Sequence, residues 1–556
     1  MGLMNAGDAS GGDPEIRRSV EATTPLRAGH SKDNGIIRNR ELHQALALWI
    51  ATLVIWLPWL GNVPLRDWDE GIVAGVARAT VQQDGLSWLL PLKATRVPYL
   101  NKPPGVHWLI GSAIQTWGES EWAVRLAPAL LSTLAVPLLV WVRRELGRDQ
   151  QGELAAVLAG AVLMTLLPMA RHGRLAMLDG SLVSCSLLVW LGWIGSRRQP
   201  ARGLVAGLGG SGVLLLKPPA LVGFAVICLA ITAVEWFRSL IREPERPKRG
   251  TVFPGPLAAG FILLGLTPGI AWHFWHGWWR GSEALLMWSG QGLNRVTTVV
   301  GGNQGSWLIP LTAVLAGGWP WLMLLPAGLA WAWRHRRCTF GLWELGLLLG
   351  SAALVLPLRT QLPWYSHLLW PAIALLCGEG LSLLLLQGQP RWVPRAWQMS
   401  GASLLLIIMV RGILLSGLSL PTAALLIAGA GLLLGGRWLA SATQRRRRWG
   451  LLMLLLGWSL ALLSLWHSRL WLWELNESWD PRPVAARIQL LPENTMVWLE
   501  GPTRPALAWY AGRILRRYQK QSQPKGEHWL VSDRRMPECR LAAEPVEGYW
   551  QLWRCD

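Results

Sequence analysis

Two adjacent carboxylates, Asp69 and Glu70, and a lysine ahead of two prolines, Lys102-Pro103-Pro104, stand in one stretch, residues 61–120. A carboxylate at a membrane surface can act as a general base, or steady positive charge building on a sugar carbon. A lysine stiffened by prolines on its carboxyl side can hold a phosphate as a point charge. The plainer readings are a solvated turn for Asp-Glu and a snorkelling anchor for Lys102. Further isolated charges follow at Arg171, Arg174, Asp179, Lys217 and Arg295. Taken together, these cations and acids would suit an anionic headgroup leaving a lipid. His273 and His276 have the i, i+3 spacing that lets two rings reach one metal, but no other Cys or His clusters near them, which favours packing. A divalent metal is therefore possible without support from the sequence.

What must position these residues is membrane. Of the 556 residues, 51% are hydrophobic, and mean hydropathy is +0.28. About thirteen apolar segments approach the roughly 20 residues that span a bilayer. They lie near 44–60, 122–142, 154–169, 182–194, 204–216, 220–237, 252–275, 307–333, 342–357, 366–386, 398–417, 421–436 and 450–468. Residues 86–92 and 106–117 are interrupted, as expected of short helices lying at the interface. The 39 tryptophans suit segment ends at the headgroup level.

The net charge of +20 would allow nucleic acid as a partner, but its placement argues against that. Basic residues form short clusters between apolar segments and no continuous face, which is how loops set topology. With a cytoplasmic amino terminus, every dense Arg cluster falls inside. Residues 61–120 and the carboxy-terminal tail then lie outside. Arg411 interrupts an apolar segment, so it should be buried against a partner or sit near an end. Residues 1–42 are polar and read as a disordered cytoplasmic tail, 43–470 as the membrane domain, and 471–556 as a small soluble α/β domain. In that domain, 497–499 and 529–531 resemble strands, 505–513 a helix, and 539–555 a last strand or pair. Cys539 and Cys555 could form a disulfide there if the compartment is oxidising.

The same residues carry a resemblance. The chain resembles the polytopic glycosyltransferases that take a sugar from a polyprenyl phosphate, in particular the bacterial lipid A aminoarabinose transferases, relatives of the protein O-mannosyltransferases. The matching pieces begin with Asp69-Glu70, Tyr99-Leu-Asn-Lys102-Pro-Pro104 and Trp122-Ala-Val-Arg125-Leu-Ala-Pro128. They continue with Arg174-Leu-Ala-Met-Leu-Asp179, Leu216-Lys217-Pro218, Leu293-Asn-Arg295, Gly317-Gly-Trp-Pro-Trp321 and Leu362-Pro-Trp-Tyr365. Ile72-Val73, Asn101, Pro218 and Gln361 depart from the usual Arg-Tyr, acidic residue, Gly and Lys.

The resemblance implies a GT-C fold, an all-α polytopic membrane protein with a small extracytoplasmic α/β domain at its end. It makes Asp69 catalytic, with Glu70 beside it. It gives Lys102 and Tyr365 to the donor phosphate, helped by Arg295 and Lys217, with Tyr99, Arg174 and Asp179 supporting. The implied partners are a polyprenyl-phosphate sugar donor and a lipid or glycan acceptor, in the cell (inner) membrane. The rival reading is a polyprenyl-lipid flippase or transporter. It would place ionisable groups near the bilayer midplane and often show internal repeats.

Overall fold

A computed structural model of the chain describes residues 30–147, 149–242, 252–299, 306–414, 422–471, 480–518, 526–536, 539–542 and 550–555. The first helix, α1 (His30–Trp56), starts well before the apolar segment expected at residue 44. Residues 36–48 contain neither Pro nor Gly, so nothing breaks the helix there. The expected tail is thus helical from His30, and residues 1–29 lie outside the described residues.

Helices α2 (Asp69–Val81) and α3 (Gly105–Trp117) fill the stretch after α1. There follow α4 (Glu121–Thr133), α5 (Ala135–Leu146), α6 (Gln150–Thr165), α7 (Leu167–His172), α8 (Asp179–Ser196) and α9 (Gly203–Leu216). Next come α10 (Pro218–Arg242), α11 (Pro256–Arg280), the short α12 (Leu286–Trp288) and α13 (Asn294–Thr297), then α14 (Leu308–Gly317) and α15 (Leu325–Arg334). The membrane part ends with α16 (Thr339–Val355), α17 (Trp370–Gln387), α18 (Trp392–Leu414), α19 (Thr422–Leu439) and α20 (Gln444–His467). Seven helices among the described residues are long and apolar enough to cross a membrane. An eighth crossing is added if 308–334, bent by 99°, counts as one. The other apolar segments fold as helices that are shorter or less apolar, so the protein is multi-pass.

Several basic residues expected only to set topology are interior clamps. Arg143 lies between the buried Glu344 (2.9 Å) and Glu379 (2.6 Å), joining α5, α16 and α17. Arg144 donates to the Glu41 carbonyl at 2.8 Å and to Gln44 at 2.6 Å, tying α5 to α1. Arg447 donates to the Leu385 and Leu386 carbonyls, among the last four of α17 that no helical N–H can reach. Arg411 is exposed near the described end of α18.

The carboxy-terminal domain has α21 (Arg482–Gln489), β1 (Val497–Leu499), α22 (Pro505–Ala511), β2 (Leu515–Arg517), β3 (His528–Ser532), β4 (Cys539–Leu541) and β5 (Gln551–Cys555). The sheet order is β2-β1-β3-β5-β4, parallel across β2-β1-β3 and antiparallel across β3-β5-β4. Ile488, Val497, Leu507, Val531 and Leu552 form its core. A disulfide joins Cys539 to Cys555 across the β4–β5 pair. The expected strands and helix are present; α21 and β2 are additional.

Candidate active site

The Asp-Glu pair opens a helix; it does not sit in a turn. Val73, Val76, Ala77 and Thr80 fall at i, i+3, i+4 and i+7 and are buried, which gives α2 its inner face. Two carboxylates in the first turn also suit the positive end of the helix dipole. Gly71 is required where α2 meets α22, since a Cβ there would lie 2.3 Å from the Ala506 nitrogen.

The two carboxylates have separate surroundings. Glu70 is wholly buried. Its Oε1 accepts from Arg125 Nε (2.8 Å) and the Ala176 N–H (2.8 Å), and its Oε2 from Arg125 Nη2 (2.6 Å) and the Arg66 N–H (2.9 Å). Arg125 spends its remaining N–H groups on the carbonyls of Leu60, Val63 and Pro64. Burial pushes the Glu70 carboxyl up, but Arg125 and the two backbone N–H groups outweigh it and hold its pKa below 4.5. Glu70 therefore organises the turn from residue 60 to 70 and leaves no oxygen for a substrate.

Asp69 keeps 28% of its side chain exposed and lies 3.8 Å from Arg66 Nη2. Burial raises its pKa above 3.8; Arg66 and Lys102 oppose the rise, while Asp179 and Glu70 add to it. These neighbours place Asp69 beside both the lysine and the second acid. Two residues back, Asp67 is held by Arg504 (2.8 Å) and accepts from the Ala506 N–H (3.2 Å), so the carboxy-terminal domain grips the chain just before α2. Tyr510 donates to Glu121 (3.0 Å) and accepts from the Leu65 N–H (2.9 Å) on the same face.

The cations arrive from helix breaks. Pro103 and Pro104 precede α3, and Lys102 sits on their amino side. Pro218 and Pro219 lack an N–H, so α9 stops at Lys217 and α10 begins beyond it. Lys102 has Asp69, Asp179, Lys217 and Arg295 as its charged neighbours, and burial lowers its pKa. Arg295, on α13, donates to the Tyr365 hydroxyl. Lys217 Nζ lies 4.6 Å from the centroid of the Tyr365 ring. Tyr365 belongs to a 3-10 turn, Pro363–Leu368, and is 5% exposed. Asp179, Lys217 and Tyr365 line a cavity of about 150 Å³ whose other walls include Leu182, Val296, Leu354 and Leu368.

Asp69, Lys102 and Arg295 neighbour this group without lining the cavity, and Tyr99 and Arg174 are held by other contacts. Tyr99 is buried edge-on against His107, with ring centroids 5.4 Å apart, and hydrogen-bonds Asn101. Arg174 is buried between Trp466 (4.5 Å) and Trp471 (4.7 Å) and donates to the Trp56 carbonyl. Burial and Arg125 push its pKa down to about 8. His276 stacks on Trp272, and His273 Nε2 faces the Leu214 carbonyl at 3.1 Å, so packing accounts for both rings. Among the described residues, no three His, Cys, Asp or Glu side chains gather as metal ligands would.

A family model described as Dolichyl-phosphate-mannose-protein mannosyltransferase matches residues 84–248. Undecaprenyl phosphate-alpha-4-amino-4-deoxy-L-arabinose arabinosyl transferases are similar to the chain. That of Enterobacter sp. (strain 638) is 24% identical over 334 residues, 58% of this chain and 56% of the relative. That of Pseudomonas aeruginosa (strain LESB58) is 26% identical over 356 residues, 60% and 59%. The crystal structure of ArnT from Cupriavidus metallidurans bound to undecaprenyl phosphate matches with a TM-score of 0.69 at 16% identity, over 92% of this chain and 97% of that one. The chain resembles the polyprenyl-phosphate-dependent GT-C glycosyltransferases. It spans about half the length of the curated relatives it matches, and the structural likeness shows the fold.

The sequence alone assigns no role to Arg66, Asp67, Trp364 or the contacts of the carboxy-terminal domain. Their only signals are an Arg-Asp dipeptide ahead of Asp69 and a Trp beside Tyr365.

Proposed function

We propose that the protein is an integral membrane glycosyltransferase that moves a sugar from a polyprenyl-phosphate carrier to a lipid or other envelope acceptor on the extracytoplasmic side. One observation carries this reading. Four cations, Arg66, Lys102, Lys217 and Arg295, neighbour two carboxylates, Asp69 and Asp179, beside a largely apolar cavity that Lys217 and Asp179 line, leaving two positive charges in excess. An excess of that size suits a phosphate that gains charge as it leaves.

Asp69 would accept the proton of, or orient, the acceptor group attacking the anomeric carbon. As the carbon–oxygen bond to the carrier breaks, the phosphate keeps the electron pair. Preorganised cations in a water-poor site lower the barrier because they face where that charge develops. Lys102, Lys217 and Arg295 supply the charge, and the Tyr365 hydroxyl, already accepting from Arg295, has its own proton to donate. Leu182, Val296, Leu354 and Leu368 would cover the first carbons of the carrier chain. Asp179 balances Lys217 and keeps the cluster from repelling itself. The accompanying topology has about thirteen crossings, a cytoplasmic amino terminus, and the soluble domain beside the site, outside.

Replacing Asp69 with Asn tests the assignment. Mass spectrometry of envelope lipids and glycans should show the sugar modification with the natural protein and none with Asp69→Asn at equal expression. Retained transfer overturns the role of Asp69. Unchanged glycans with displaced lipid carrier would favour a flippase.

A further inference from the structure

Two prolines follow Lys102, so positions 103 and 104 have no N–H through which the backbone could hold them. A side chain holds them instead. His107, in the first turn of α3, brings Nδ1 to 3.2 Å from the Pro103 carbonyl. The next carbonyl, that of Pro104, accepts from the Trp108 N–H at 2.8 Å. On the other flank of the lysine, Tyr99 donates its backbone N–H to the Pro91 carbonyl at 2.9 Å and meets the His107 ring edge-on, with centroids 5.4 Å apart. One imidazole therefore touches both the residue just after Lys102 and the residue three before it.

Reaching a carbonyl four residues back is not peculiar to His107, since His43 and His335 do the same. Its surroundings set it apart. The side chain is 0% exposed, and Lys102 is the charged group beside it. Burial, with Lys102 adding to it, pushes its pKa down to about 3, so the ring is neutral. A carbonyl only accepts, so Nδ1 carries the proton and Nε2 is a bare lone pair, without a hydrogen-bond partner among the described residues. A neutral donor suits this place, because a Lys or Arg reaching the same carbonyl would repel Lys102. The start of α3 is also fixed against the second lysine. A Cβ at Gly105 would lie 2.7 Å from the Leu215 carbonyl oxygen, so this helix end abuts α9 two residues before Lys217.

We propose that His107 is the positioning residue of Lys102, an inference that rests on the transferase reading above. Tyr99 steadies the ring, and the Nδ1–H ties down the Pro103 carbonyl, so that Lys102 is held in one direction toward the carrier phosphate. With Gly105 seated on Leu215, that direction is set relative to Lys217, and the two ammonium groups meet one phosphate as a pair. His107 acts through the lysine and not on the anion: its one N–H is spent, and a bare Nε2 on a neutral ring offers a phosphate oxygen nothing.

The probe is farnesyl phosphate, a short polyprenyl phosphate, added to the purified full chain in nonionic detergent, with farnesol as its uncharged match. His107→Phe keeps a ring against Tyr99 and loses the donor, whereas His107→Asn keeps a neutral N–H in place of Nδ1 and loses the ring. The Phe variant should weaken farnesyl phosphate about tenfold, the upper end for one lost hydrogen bond, and leave farnesol unchanged. The Asn variant should stay within about threefold of the natural protein. In a Lys102→Ala background, His107→Phe should cost nothing further, because the group it positions is gone. The pH profile of sugar transfer should keep its shape in His107→Asn, since a neutral ring contributes no limb to it. If the Phe protein does not fold, His107→Leu removes the donor with a smaller side chain and reads the same way. Equal losses in the Phe and Asn variants, a loss shared by farnesol, or a tenfold loss that persists beside Lys102→Ala would overturn the proposal. A clear preference for farnesyl phosphate that His107→Phe leaves intact would overturn the positioning role alone. A natural protein that binds farnesyl phosphate no better than farnesol would overturn the transferase reading and this role with it.

Discussion

Glu70→Gln and Asp69→Asn, one position apart, should fail in opposite ways. Glu70 accepts four hydrogen bonds through its two oxygens, two from Arg125 and two from backbone N–H groups. In the Glu70→Gln protein one of those oxygens becomes an NH2 facing two donors, and the Arg125 charge stays buried without its counterion. Both side chains of the pair are 0% exposed. Removing one partner of such a pair costs about 3–5 kcal/mol, mostly through the charge left behind. Asp69 is different, because burial raises its pKa. Its ionised form costs the folded state free energy, so Asn at that position should leave stability unchanged or higher while abolishing transfer.

Unfolding in detergent followed by tryptophan fluorescence reads the first effect, and sugar transfer reads the second. The pH dependence gives an independent check of sign. A carboxyl whose folded pKa lies below its unfolded value adds stability above the unfolded pKa, near 4.5, and loses it as pH falls through the folded one. Glu70→Gln should therefore flatten the loss of stability below pH 4.5. Asp69, raised above 3.8, contributes with the opposite sign: stability falls as pH rises from its unfolded value through its folded one. If Glu70→Gln loses less than about 1 kcal/mol yet abolishes transfer, the buried-pair magnitude does not apply. The two carboxylates would then have to exchange roles.

Tyr365→Phe removes only the hydroxyl that Arg295 approaches. It should lower kcat/KM for the donor by about 10- to 100-fold, the worth of a hydrogen bond to a charged group, with unfolding little changed. Gly71→Val places side-chain atoms where the Ala506 backbone lies, 2.3 Å from the Cβ position. Limited proteolysis should release the carboxy-terminal domain faster than from the natural protein, and transfer should fall with it. Replacing Cys539 and Cys555 with Ser opens a loop of 16 residues. The carboxy-terminal domain should lose about 3 kcal/mol, a loss that reductant reproduces in the natural protein.

Legibility in the sequence followed the range of the interactions. Lys102, Lys217 and Arg295 could be found because each is a lone cation outside the dense clusters. Tyr365 carries no such mark and depended on the resemblance. Asp67 could not be read at all, since its partner Arg504 lies 437 positions away. The Arg clusters misled in part. Arg143, Arg144 and Arg447 fit a topology rule by position, yet their guanidinium groups bind carboxylates and carbonyls inside the bundle.

The division between Asp69 and Glu70 shows why residue types were not enough. As a turn, the pair offers two equivalent acids. On a helix that begins at Asp69, consecutive side chains point about 100° apart, so one can face the cavity while the next faces the interior. Gly71 then lets α22 close on the outer side of that first turn, and Arg504 grips the residue two before Asp69. The carboxy-terminal domain is therefore part of what aims the carboxylate. A chain lacking residues 480–555 would keep Asp69, Lys102, Lys217 and Tyr365, but lose the contacts that set the angle of α2.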